Sequence, residues 1–99
     1  MQDDIQNKLA LMQQNFRQKL WDVASDLQTW QTADRFDDLL FLTHKYAGSA
    51  GTFGLGETSE RLKEFELKLK QLPHPVSDEE AIKLYQEASA LLGTEQKND

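Results

Sequence analysis

Apolar side chains return every three or four positions through the first third of the chain, at Ile5, Leu9, Met12, Phe16, Leu20, Val23, Leu27 and Trp30. This is the spacing of one face of an α-helix, and neither glycine nor proline interrupts it. The pattern predicts a helix over about residues 3–31, with Asp3 or Asp4 as its N-cap. Periodicity alone does not distinguish one long helix from two nearly collinear ones broken near Gln13 to Asn15. After a short connection at Gln31-Thr32-Ala33, Asp34 is the expected N-cap of a second helix over 34–53, with Asp37 in its first turn and Gly54 as its stop. Its stripe is Phe36, Leu40, Thr43, Ala47, Ala50 and Gly54. Leu55, Thr58, Leu62, Phe65, Leu69 and Leu72 predict a third helix over 56–72, ended by Pro73-His74-Pro75. Ser77-Asp78-Glu79-Glu80 has the form of a capping box and opens a fourth over 78–92. Its core positions are Ala81, Leu84 or Tyr85, Ala88, and Leu91 or Leu92, before Gly93. The polar tail 94–99 is expected to be disordered.

No stretch alternates as a strand would. Amphipathic helices joined by short turns bury their stripes most economically in an all-α, antiparallel up-down four-helix bundle. The expectation is therefore a single domain over residues 1–99 with a long N-terminal helix, whose first half would reach beyond a four-helix core. A monomer is the favoured reading over a homodimer built on that exposed half.

Charge narrows the partners. Eleven Lys and Arg are scattered among seventeen Asp and Glu, for a formal net charge of −6, and no basic stripe is present to neutralise a phosphate backbone. Nucleic acid is thus excluded as a partner. No apolar run approaches the roughly 20 residues needed to span a bilayer, and no signal-peptide pattern opens the chain, so membrane insertion is not expected and the location is read as cytoplasmic. The chain has no cysteine, and hence no disulfide framework or thiolate chemistry. The two histidines, His44 and His74, are too far apart for a zinc-binding pair, and no Gly-x4-Gly-Lys-Ser/Thr phosphate loop occurs. His74, between two prolines, reads as a solvated loop residue.

Chemistry concentrates in DRFDDLLFLTHKYAGSAGTFGL, residues 34–55. His44 lies roughly 80° from the centre of the apolar stripe, on a shoulder that stays wet when the stripe is buried. One turn away lie Leu40, Phe41, Ala47 and Gly48, with Gly51 a turn further. A mid-helix glycine costs about 0.5–1 kcal/mol relative to alanine, so Gly48 and Gly51 give up stability and leave room for something to reach the imidazole. Phe41 lies well off the stripe on the His44 side, where it is a candidate for an exposed apolar contact.

HKYAGSAGTFGL, followed by a helical run ending in Phe65-Glu66, resembles the histidine-containing phosphotransfer (HPt) domain. The match falls on His44, Gly48, Ser49, Ala50 and Gly54, with Leu62 and Glu66 in the following helix. The family pattern carries a lysine three positions after the histidine, where this chain has Ala47; the nearest cation along the chain is Lys45.

The resemblance implies a phosphocarrier of a two-component phosphorelay, with His44 accepting a phosphoryl group from a receiver-domain aspartate and passing it to another receiver. Leu40, Phe41, Lys45, Ala47, Gly48 and Gly51 would form the surface that meets the partner and the phosphoryl group, Lys45 in a supporting role. Partners would be response-regulator receiver domains, a hybrid sensor kinase, or both. No cofactor would be bound by this chain, because Mg2+ is supplied by the partner receiver. The chain would be a carrier without ATP-binding or autokinase function, and so not an enzyme in its own right. The alternative is a non-catalytic docking or dimerisation module that binds a receiver or kinase without phosphotransfer.

Overall fold

A computed structural model describes residues 2–93. The side chains of the expected N-caps Asp3 and Asp4, and the tail 94–99, lie outside the described residues. Among those described, the chain forms α1 (Gln2–Leu27), a single 3-10 turn (Ala33–Arg35), α2 (Phe36–Thr52), α3 (Gly56–Lys70) and α4 (Asp78–Gly93), with no strand. α1 is continuous, without a break near Gln13 to Asn15.

Pairwise contacts fix the topology. α1 and α4 run antiparallel: the Ser89 hydroxyl donates to Ala24 O at 2.7 Å, while the Tyr85 hydroxyl, further back along α4, donates to Thr32 O at 2.7 Å. α2 and α3 form the most closely packed pair, an antiparallel hairpin. Its turn is made by Gly54, whose φ of 79° is open to glycine at little cost. Leu55 N donates to Ala50 O (2.8 Å) and Gly54 N to Gly51 O (3.2 Å), the paired bonds that satisfy the last free carbonyls of a helix. The core comprises Phe16, Leu20 and Leu27 of α1, Leu39 and Tyr46 of α2, Leu62, Phe65 and Leu69 of α3, and Tyr85 and Leu92 of α4, among others.

Three expectations need correction. α1 ends at Leu27 rather than near 31, because Trp30 turns inward: its ring meets Tyr85 edge-on at 5.2 Å and lies 3.8 Å beneath the Arg35 guanidinium. A continued helix would carry that ring elsewhere. Asp34 is not an N-cap. It sits inside the 3-10 turn, α2 begins after Arg35 without a side-chain cap, and the Ala33 amide that opens the turn is held by the carboxylate of Asp78, from the start of α4, at 2.7 Å. The buried face of α2 is Phe36, Leu39, Thr43, Tyr46, Ala47 and Ala50, with Leu40 only half-buried. The stripe is rotated roughly 35° from the expected one, because the large Tyr46 ring packs on Phe16 and takes the helix with it. Ile5, Leu9 and Met12 continue the α1 stripe and are exposed, as expected of a first half that reaches beyond the core.

Candidate functional site

Small residues bring α2 and α3 close. The buried Ser59 hydroxyl of α3 donates to Ala47 O of α2 at 2.7 Å, and a methyl group added at Gly51 would meet that hydroxyl oxygen at 3.4 Å, ordinary contact. Two turns along α3 from Ser59, the same close approach delivers Glu66 to His44. The carboxylate Oε2 lies 2.8 Å from Nδ1 of the imidazole.

The two side chains are placed differently. His44 is 75% exposed, whereas Glu66 is only 12% exposed and also takes the Lys70 ammonium at 3.1 Å. Burial pushes the Glu66 carboxyl up, but hydrogen bonds from Lys70 and His44, and their charges, outweigh it and leave the group below the ordinary glutamate value. Glu66 is therefore a carboxylate at neutral pH, an acceptor only. Its partner nitrogen must carry the proton, so in neutral imidazole the hydrogen sits on Nδ1 and the lone pair on Nε2. The arrangement presents an oriented nucleophilic nitrogen on an open face.

Around the ring, the sequence-predicted residues divide. Phe41 is 70% exposed, on the side of α2 opposite the core. Gly48 is exposed, and a methyl group added there would meet nothing within 4 Å, so packing within the chain does not require glycine. Since Cα–Cβ bonds tilt toward the helix N-terminus, a longer side chain at 48 would lean over the turn that carries His44. Gly51 is exposed at the α3 margin, and Leu40 is half-buried. Lys45 is exposed, its ammonium 5.4 Å from the centre of the Tyr46 ring. Ala47 is the exception and a correction: at 2% exposure it lies beneath the surface in the α2–α3 seam, where neither a partner nor a phosphoryl group can touch it.

Reasoning from sequence named Glu66 only as part of a motif and missed Lys70. The spacing Glu66-Lys70 is a helical ion pair legible in the sequence. That this pair faces His44, and not solvent or α4, required the α2–α3 register. His74 stays outside the site; its ring meets Phe36 edge-on at 5.6 Å. Among the described residues, no group of His, Cys, Asp and Glu could hold a metal ion, and no helix is long and apolar enough to cross a membrane.

The family model of the Hpt domain matches residues 3–94. No curated protein and no solved structure matches the chain.

Proposed function

The chain belongs to the Hpt domain family, whose members carry phosphoryl groups on histidine in phosphorelays, and from that premise we propose that His44 is the phosphoacceptor. The observation that carries the reading is the exposed ring with Nδ1 held by Glu66. In the proposed step, the Nε2 lone pair attacks the phosphorus of an aspartyl phosphate on a receiver domain. The P–N bond forms, the P–O bond to the aspartyl carboxylate breaks, and that carboxylate leaves with the bonding pair. Nδ1 keeps its proton, and Glu66 offsets the positive charge that develops on the ring, a fixed carboxylate placed where charge appears. Transfer onward to a second receiver reverses these bond changes.

The open face around Gly48 admits the donor, and Phe41 offers it an apolar contact. In this reading the magnesium ion belongs to the receiver, along with most of the charge stabilisation at phosphorus. Ala47 removes the lysine of the family pattern, and the Lys70 ammonium, one carboxylate away from the imidazole, is the cation that supports the site in its place.

Phosphoramidate, a small donor that needs no partner, tests the assignment first, and a panel of phosphorylated receiver domains tests it second. The wild-type chain should gain one acid-labile phosphoryl group, and His44→Gln none. Label persisting on His44→Gln would place the acceptor elsewhere. Labelling by phosphoramidate without labelling by any receiver would remove the relay role.

A further inference from the structure

The α1 stripe that enters the core at Phe16 continues outward through Met12, Leu9 and Ile5, which are 48%, 55% and 61% exposed. The bundle closes on α1 near Gln13, whose side-chain amide donates to Phe53 O at 2.6 Å. Beyond it, residues 5–12 are all exposed, and they add about 12 Å of helix to a molecule 53 Å long and 23 by 18 Å across. We propose that this projecting segment is a self-association surface, on which two copies of the chain pair with their α1 helices antiparallel.

Charge favours a second copy as the occupant. Lys8 is the one charged residue in the twelve from Ile5 to Phe16, in a chain that is 28% charged with a net charge of −6. Two such chains repel one another through most faces, and this neutral stretch is where they can approach. Charge depletion around an apolar stripe is also the composition of an interface centre. The spacing adds a symmetry argument. Phe16 is covered by its own bundle, 6% exposed and stacked on Phe53 at 4.9 Å, so the pairing runs through Ile5, Leu9 and Met12, spaced by four and three residues. A two-fold axis between positions 8 and 9 sets Ile5 level with Met12 of the second copy and Leu9 within one residue of its own copy, as an isologous contact demands.

Thr94 to Asp99 offers the stripe no large apolar side chain. Leu11 lies on another side of α1 and takes no part. The contact would bury less than about 1,000 Å2 in total, the size of a weak, concentration-dependent association. His44, eight residues before the end of α2, remains open in both copies.

Sedimentation equilibrium of the full chain, from about 1 μM to about 300 μM, provides the test. The wild-type mass should rise from one chain to two. Leu9→Glu/Met12→Glu should hold the mass of one chain throughout, with unchanged helical circular dichroism and unchanged phosphoramidate labelling. Orientation is read from single thiols in a chain that has none of its own. Leu9→Cys, about 1.5 Å along the axis from its own copy, should cross-link on oxidation, and Ile5→Cys, about 10 Å away, should not. A one-chain mass for the wild type at every concentration overturns the proposal, as does a dimer that survives the double substitution. Preferential cross-linking of Ile5→Cys would indicate parallel pairing and refute the symmetry argument. None of these outcomes bears on His44, whose labelling is measured separately.

Discussion

His44 and Glu66 are joined across the α2–α3 seam by a 2.8 Å contact between Nδ1 and Oε2, an exposed ring steered by a largely buried carboxylate. The carboxylate selects the tautomer, so Glu66→Ala should release the proton to exchange between the two ring nitrogens and slow phosphoryl acceptance by roughly tenfold, about 1.4 kcal/mol in the barrier. Glu66→Gln should lose less, because its amide oxygen still accepts from Nδ1–H. Long-range 1H–15N correlation spectra of the imidazole supply a readout that a purely structural role would leave unmoved: mainly Nδ1–H in the wild type, a mixture in Glu66→Ala. The phosphorylated wild type should show phosphorus on Nε2, and a phosphoryl group on Nδ1 would contradict the orientation.

Glu66 also sets a pH dependence of stability. Its carboxyl is held below the ordinary glutamate value when folded, so the unfolded chain binds the proton more tightly. The resulting stabilisation is present above the unfolded pKa and is lost as pH falls through the folded one. At neutral pH Glu66→Gln should therefore be less stable than wild type by up to about 1 kcal/mol, the scale of an ion pair whose cationic partners are solvent-exposed. The difference should shrink as both proteins are acidified through the carboxylate range. Thermal unfolding at neutral and acid pH measures it, and a difference that grows on acidification would reverse the assigned sign.

Gly48 separates the needs of folding from those of access. A methyl group there meets nothing, so Gly48→Ala should stabilise the chain by about 0.5–1 kcal/mol. Gly48→Gln should also fold, yet slow transfer from a receiver, because its longer side chain leans over His44. Unfolding and transfer rates measured on the same variants test both halves, and full-speed transfer in folded Gly48→Gln would dispose of the clearance argument.

The bundle was legible in the sequence because stripes, glycine stops and the proline-flanked turn each reflect local chemistry. Gly54 could be read as a helix stop because its left-handed backbone is a local demand. Less visible was anything decided between elements. Asp34 looked like an N-cap, but it lies inside a 3-10 turn whose first amide, that of Ala33, is held by Asp78, far away in sequence. Leu40 and Leu39 are equally apolar, and only the packing of Tyr46 against Phe16 decides which faces inward. His44 announced itself through its glycines, whereas Lys70 needed the α2–α3 register to be seen near it.

That register makes the two candidate cations separable. Lys70 reaches the Glu66 carboxylate at 3.1 Å, while the Lys45 ammonium rests toward the Tyr46 ring. Lys70→Gln should slow phosphoryl acceptance by up to about fivefold, since a half-exposed ion pair contributes at most about 1 kcal/mol, and its effect should fade at high salt. Lys45→Gln should change the rate less. The reverse order, measured with phosphoramidate and with a phosphorylated receiver, would return the supporting role to Lys45.

Phe41 provides a test of partner docking that does not touch the chemistry. Its ring is 70% exposed on the side of α2 facing away from the core, so removing it takes little from the fold. Phe41→Ala should leave stability within about 0.5 kcal/mol of wild type, as surface substitutions do, and leave labelling by phosphoramidate unchanged because that donor needs no docking surface. Transfer from a receiver should weaken through a higher KM, since a large apolar side chain at an interface centre contributes affinity when it is covered. The split between the two donors is the informative measurement. Equal loss with both would mean that Phe41 supports the His44 ring itself, and no loss with either would put the docking surface on another face of the bundle.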